Sequence, residues 1–351
     1  MTLNSTDATY MARAIRLAER GLYTSMPNPR VGCVLVLNDE IIGEGWHEVA
    51  GQPHAEINAL AAAGGSAQGA TAYVSLEPCS HTGKTGPCCE ALVKAGIARV
   101  VYGTEDPNPE VSGFGLMHLR NAGVEVSGPL MDDEARALNP GFNRRMERDL
   151  PLVRVKSAMS LDGRTAMASG ESKWITTPHA RADVQQYRAR SCAIVSGIDT
   201  VLKDNASLTV RPAELNIEAA EAAAAKQPLR VILDSKLRLP MNSELVGIHS
   251  PILLVHADAD ESSLKERPDH VELLSLPGPD GRIDLRKLLR ELAGRECNEV
   301  LVEAGATLSG SFLKKGLLDE LVVYMAPKLM GSDARPLFNL PLQSMAAQLP
   351  L

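Results

Sequence analysis

The sequence predicts two α/β domains in tandem, each built on a sheet layered with helices. Strand-like and helix-like periodicity alternate along both halves, after an opening hairpin in the first. Midway, a charged stretch at 143–149 ends in Leu150-Pro151, and the alternation then restarts. A chain of 351 residues has room for two cores, and we place the domains at residues 1–149 and 150–351.

The elements follow in order. Residues 10–20 carry apolar side chains at helical spacing. Residues 31–37 and 41–46 form strands joined by the turn pair Asn38-Asp39, a hairpin signal. A helix at 54–63 stops at Gly64-Gly65, and a strand follows at 70–76. Helices at 88–95 and 112–122 close on Gly96 and Gly123, with strands at 99–102 and 124–127 and a helix at 131–137. The second half offers strands at 152–157, 193–196, 230–234, 252–256, 299–303 and 320–326. Its helices are expected at 179–190, 285–293 and 309–315, with an exposed Ala/Glu-rich helical insertion at 214–226.

Composition narrows the function. Hydrophobic residues are 44% and charged residues 23%, ordinary globular values that exclude a disordered or fibrous chain. Aromatics are only 3%, too few for a nucleic-acid surface of stacked rings. Residues 1–150 hold 12 basic and 18 acidic side chains, and the rest hold 24 and 25, so neither half has a basic footprint for a polynucleotide. A small anionic substrate needs only a few local cations. There is no apolar run long enough to span a membrane and no secretory pattern at the start, so a cytoplasmic protein is expected. The six cysteines are too few and too irregular for a disulfide framework, and their clustering suggests a metal.

The strongest signal is His54-Ala55-Glu56 followed by Pro78-Cys79 and Pro87-Cys88. A catalytic zinc takes three protein ligands and keeps one open position, and His54, Cys79 and Cys88 supply the three. His54 and Cys88 open predicted helices, whose N-termini favour a thiolate. Glu56 lies in the same first turn as His54 and can reach a water without binding the metal. His-x-Glu with a downstream Pro-Cys and a second Cys is the pattern of zinc nucleobase deaminases, in which the Glu shuttles protons. The plainer alternative is a structural zinc, which would want a fourth ligand such as His81 or Cys89.

The pattern departs from Pro-Cys-x-x-Cys in having eight residues between the two cysteines, Ser80-His81-Thr82-Gly83-Lys84-Thr85-Gly86-Pro87. A cation and two hydroxyls beside the metal suit a phosphate-bearing substrate. Gly83-Lys84-Thr85 is not a P-loop, because its first glycine position is Pro78.

These residues, with Thr24-Ser25-Met26-Pro27-Asn28-Pro29-Arg30-Val31-Gly32, Gly43-Glu44-Gly45-Trp46-His47 and Asp106-Pro107-Asn108-Pro109, closely resemble the deaminase domain of the bacterial bifunctional riboflavin-biosynthesis deaminase–reductase family. The resemblance runs over nearly all of residues 8–340. It implies a cytidine-deaminase-like α/β/α layered sheet, with Asn28, His47, His81, Lys84 and Asn108 lining the substrate pocket. On residue type alone, Asn28 and Asn108 read equally as turn formers beside proline.

Unaided, the second half says less. It lacks the Gly-x-Gly-x-x-Gly fingerprint, and its small-residue run at 302–310, a strand end opening a helix, is a weak phosphate signal. Ser160-Leu161-Asp162-Gly163-Arg164-Thr165-Ala166, Gly170-Glu171-Ser172-Lys173-Trp174-Ile175-Thr176 and the run from Gly197 to Arg211 resemble the reductase domain of the same family. That domain is dihydrofolate-reductase-like in fold and uses NADPH. The resemblance implies that Ala158, Trp174, Thr200, Asp204, Ser235 and the run Gly305, Ala306, Thr307, Leu308, Ser309, Gly310 and Ser311 face the cofactor. It implies that Ser172, Arg188, Leu208, Arg211 and Glu303 face the substrate. Arg188 and Arg211 suit a phosphate because guanidinium binds it bidentately. The family continues with further strand-forming sequence where this chain ends at Leu351, which suggests a shortened C-terminus and an uncovered sheet edge.

The resemblance implies zinc-dependent removal of the 2-amino group of 2,5-diamino-6-(ribosylamino)pyrimidin-4-one 5′-phosphate. Reduction of the ribosyl group to ribityl by NADPH then follows. A homo-oligomer is expected, with no nucleic-acid or membrane partner. Two alternatives stay open: a zinc nucleotide deaminase with an inactive reductase-like partner domain, and a zinc-stabilised nucleotide-binding module.

Overall fold

A computed structural model describes residues 3–65, 67–80, 86–172, 175–264 and 266–349. The chain divides into two compact units, Met1–Leu150 and Pro151–Leu351.

In the first unit, helix α1 (Ser5–Glu19) starts on a capping box: the Asn4 side chain accepts from the Asp7 amide, and Asp7 accepts from the Asn4 amide. The hairpin β1 (Gly32–Leu37) and β2 (Glu40–Trp46) turns through Asn38 and Asp39, both at positive φ (54° and 65°), as a primed turn requires. Then come α2 (Ala55–Ala62), β3 (Thr71–Leu76), α3 (Cys88–Lys94), β4 (Arg99–Thr104), α4 (Phe114–Asn121), β5 (Glu125–Ser127), α5 (Asp132–Ala137) and α6 (Pro140–Arg148). The sheet order is β2-β1-β3-β4-β5, antiparallel around β1 and parallel from β3 to β5. One apolar cluster packs α2 and α3 under the sheet, and another packs α1 over it, giving the layered α/β/α arrangement.

Two glycines bring α2 onto the sheet. A Cβ on Gly45 would lie 2.4 Å from Ala59 N and 2.5 Å from Ala55 O, and one on Gly43 would lie 2.3 Å from Ala59 O. Only bare backbone at both positions lets α2 approach this closely.

The second unit is built on a seven-stranded parallel sheet of order β11-β10-β9-β8-β12-β6-β13. Its elements are β6 (Leu152–Ser160), β7 (Arg164–Ala166), α7 (Pro178–Ala189), β8 (Ala193–Gly197), α8 (Ile198–Asp204), α9 (Pro212–Leu215), α10 (Ala220–Ala225), β9 (Leu229–Leu233) and α11 (Glu244–Gly247). They continue with β10 (Ile252–His256), β11 (Val271–Ser275), α12 (Leu285–Gly294), β12 (Glu299–Glu303), α13 (Ala306–Lys314), β13 (Glu320–Ala326) and β14 (Arg335–Pro336). The chain steps outward from β8 to β11 and then returns with β12 between β8 and β6. That return makes a topological switch point, where ligands of open α/β sheets bind at the carboxyl ends of the strands.

Three features add to or correct the expected elements. The charged stretch at 143–149 is mostly helix α6, started by Pro140 at its first position. The insertion at 214–226 is two short helices, and it is not wholly exposed, because Leu215 and Ala223 are buried. Strand β11 and helix α8 carry signals too short to stand out from loops.

Candidate active site

His54 is the N-cap of α2, Cys88 is the first residue of α3, and Cys79 follows β3. These elements bring the His54 Nδ1 and the two Sγ atoms within 4.8 Å of one another. Nδ1 lies 3.5 Å from the Cys79 sulfur and 3.3 Å from the Cys88 sulfur. Zinc bonds of about 2.3 Å to sulfur and about 2.0 Å to nitrogen, at tetrahedral angles, put such donors about 3.5 Å apart. The donor set therefore fits zinc. Cys89 is not part of this cluster and sits in the apolar core.

The electrostatics of the three donors are unequal. Donation from the Cys88 thiol, from His54 and from the Cys88 amide holds Cys79 down at about 4. The same contact, together with burial, pushes Cys88 up, and the Cys79 contact raises His54. Glu56 is 3% exposed, and burial followed by the Cys79 charge raises its carboxyl to about 7. A carboxyl poised there can both take and give a proton near neutral pH.

Of the expected pocket residues in this unit, Asn28 and His47 come together, with Asn28 Nδ2 3.0 Å from His47 Nε2. His47 stands edge-on to His54, ring centroids 5.2 Å apart. The Asn108 side-chain oxygen accepts from the Glu110 amide and closes its own turn, as its residue type alone suggests. His81 and Lys84 lie outside the described residues. Glu77 escaped the sequence reading. It is buried and accepts from the amides of Asp106, Gly113, Gly115 and Leu116, tying the segment before Cys79 to the Asn108 loop. Its only sequence signal is a carboxylate directly after an apolar strand.

In the second unit a cavity of about 350 Å³ is lined by Arg188, Asp204, Leu208 and Arg211, with Asn205 and Glu244. Ser172 joins through its hydroxyl, 3.4 Å from Asp204 Oδ1. Arg188 makes a two-pronged pair with Glu303 at 2.6 and 2.9 Å, and Arg211 pairs with Glu214, so both cations meet carboxylates here. Leu208 sits at φ 53°, a strained conformation for a branched side chain.

Ala158, Thr200, Ser235 and Gly305 fall at or just beyond the carboxyl ends of β6, β8, β9 and β12. Gly305 is the exposed N-cap of α13 and leaves the first-turn amides without a side-chain cap, which suits a phosphate. Thr307 is exposed in the same turn, with Ala306 and Leu308 half-buried. Farther along, Ser309 is buried with its hydroxyl on Ala304 O, Gly310 packs against the Asn339 backbone, and the Ser311 hydroxyl donates to Thr307 O. Trp174 lies outside the described residues.

Lys156 was missed by the sequence reading. It is half-buried on β6 facing Glu303 and Arg188, and desolvation lowers its ammonium. The signal was present: Arg154 and Lys156 interrupt a strand that, inside a parallel sheet, should be apolar on both faces.

Comparison with known proteins finds a match for each half of the chain. Residues 151–349 match the model of the RibD C-terminal domain, and residues 4–104 match the cytidine and deoxycytidylate deaminase zinc-binding region. The chain is 51% identical over 339 residues to the riboflavin biosynthesis protein RibD of Escherichia coli, covering 95% of this chain and 91% of that one. The chain belongs to the RibD family. Haemophilus influenzae RibD is 49% identical over 355 residues, covering 100% of this chain and 94% of that one. Among solved structures, RibD of Acinetobacter baumannii superposes with a TM-score of 0.90 at 48% identity, covering 98% of this chain and 93% of that one. A Thermotoga maritima deaminase–reductase superposes at 0.84 and 35% identity, covering 99% and 93%. RibD-family proteins are bifunctional enzymes of riboflavin biosynthesis, with a zinc-binding deaminase domain and a reductase domain. No helix among the described residues is long and apolar enough to cross a membrane.

Proposed function

We propose that residues 1–149 deaminate the diaminopyrimidine ribosyl phosphate, and that residues 150–351 reduce the ribosyl group of the product with NADPH. The observation that carries this reading is Glu56, buried beside the His54, Cys79 and Cys88 donors without being one of them. A structural zinc site or a binding module has no use for an acid there.

His54, Cys79 and Cys88 hold zinc. Bound there, zinc supplies Lewis-acid activation of water near neutral pH. Glu56 takes one proton from the attacking water and gives it to the ring nitrogen, then takes the second from the added hydroxyl and gives it to the departing amino group, which leaves as ammonia. Asn28 and Asn108 frame the pyrimidine, with His47 in the pocket wall against Asn28, while His81 and Lys84 serve its phosphate side. NADPH supplies a hydride to the second unit. Its phosphates take the open first turn at Gly305, with Ala306, Thr307 and the rest of the run to Ser311 shaping that helix end. Ala158, Trp174, Thr200, Asp204 and Ser235 flank it. Ser172, Arg188, Leu208, Arg211 and Glu303 hold the substrate, and the 350 Å³ cavity lined by Arg188, Leu208 and Arg211 supports this placement. Lys156 keeps a half-buried cation against Glu303, its partner across the β6–β12 pairing. The thiol donor set needs reduced cysteines, which supports a cytoplasmic setting. A homo-oligomer is part of the same proposal.

The test is zinc-loaded protein with the diaminopyrimidine substrate and NADPH. Ammonia release followed by NADPH oxidation supports the reading. NADPH oxidation without deamination overturns the order, and neither reaction overturns the function.

A further inference from the structure

His47 is 2% exposed, and both of its ring nitrogens are taken. Nδ1 lies 3.2 Å from the Pro53 carbonyl oxygen, and Nε2 lies 3.0 Å from Asn28 Nδ2. A carbonyl only accepts, so Nδ1 carries the ring hydrogen. No carboxylate is within hydrogen-bond reach of this ring among the described residues, and Nε2 faces the Asn28 amide nitrogen, which only donates. Nε2 is then a lone pair and takes a hydrogen from the Asn28 amide. Pro53 O is itself pinned, because Asn58 Nδ2 lies 3.4 Å from it and donates to Trp46 O at 2.8 Å. The chain of contacts runs from Pro53 through His47 to Asn28, directly beside the zinc ligand His54.

An asparagine amide has one donor end and one acceptor end. With the NH₂ end spent on His47, the Asn28 Oδ1 is turned away from it. Among the described residues Oδ1 receives no hydrogen bond.

We propose that His47 is a positioning residue and not a ligand of the pyrimidine: it locks the Asn28 amide so that Oδ1 accepts an N–H of the substrate ring. This rests on the deaminase reading above. It makes Asn28 a selector for a donor at one edge of the base. An analogue with a lone pair at that edge meets another lone pair and is rejected.

Two experiments on the zinc-loaded full chain test it. Long-range proton–nitrogen NMR of the His47 ring must show hydrogen on Nδ1 and none on Nε2; hydrogen on Nε2 overturns the proposal. This readout does not depend on turnover, so it separates failure of the relay from failure of the deaminase reading. In steady-state kinetics, His47→Leu and Asn28→Ala should each raise KM about tenfold, with kcat within about threefold and zinc retained. The double variant should be no worse than the worse single, because both remove the same contact. His47→Gln, which keeps an acceptor for the Asn28 amide, should recover most of the lost KM. Multiplying losses in the double variant, or no recovery in His47→Gln, would mean that His47 touches the substrate itself. If His47→Leu loses zinc, the tautomer and the His47→Gln result still decide.

Discussion

Glu56 and Cys89 make the sharpest pair of tests at the residue scale, since each sits next to zinc ligands in sequence and neither is one. Glu56→Gln should keep zinc and fold while deamination falls by ~10²–10⁴-fold, the usual contribution of a general acid–base group. Ammonia assay and elemental analysis on one preparation check both halves; near-normal turnover would remove the shuttle. His54→Ala, Cys79→Ser and Cys88→Ser should each lower zinc content, whereas Cys89→Ser should leave it intact, as its place in the apolar core implies. The clustering of His54, Cys79 and Cys88 was legible in the sequence because spacing on helix N-termini fixes where such side chains go. Lys156 and Glu77 were not, because their partners lie far away: Glu303 faces Lys156 from another strand, and Glu77 serves amides some thirty to forty residues on.

The element on which the site depends most is α2, which carries His54 at its cap and Glu56 in its first turn. Gly45→Val would drive a side chain into α2 backbone 2.4–2.5 Å away. The helix must then lift, so thermal stability should fall by ~1–3 kcal/mol, the usual cost of overpacking, and zinc occupancy should fall with it. A calorimetric scan beside a zinc assay reads both; loss of stability with full zinc would mean that the site tolerates a displaced helix. On the opposite face, α1 is tied to β3 and β4 through Asp7, which meets Arg99 at 2.7 Å and the Tyr73 hydroxyl at 2.8 Å. Burial alone would raise the Asp7 carboxyl, but Arg99 and Tyr73 outweigh it and hold it below its usual value. A depressed carboxyl contributes stability that is present above its unfolded value, near ~4, and is lost as pH falls through the folded value. Asp7→Asn should therefore be less stable than the parent at neutral pH, and the gap should close below about pH 4. A gap unchanged by acid, measured by thermal unfolding across pH, would contradict the pairing. Element type was legible where periodicity was clean, as in the hairpin and the β12 strand at 299–303. Helix α6 was hidden because five of its nine residues are charged or Asn, and their helical order depends on packing Phe142 and Asn143 inward.

For the whole molecule, the claim is that one chain carries two consecutive reactions, the second acting on the product of the first. The restart after Leu150-Pro151 was legible in the sequence, but the depth of the second site was not. Its residues come from β6, α7, α8, β12 and the loops between, and only the parallel sheet's switch point gathers them. The most direct test follows NADPH oxidation and ammonia release together in zinc-loaded parent protein and in Glu56→Gln, with the diaminopyrimidine substrate and then with its deaminated product. The account predicts that Glu56→Gln loses both signals on the first substrate and oxidises NADPH at the parent rate on the second. NADPH oxidation by Glu56→Gln on the undeaminated substrate, or no oxidation by the parent on the deaminated one, would contradict it.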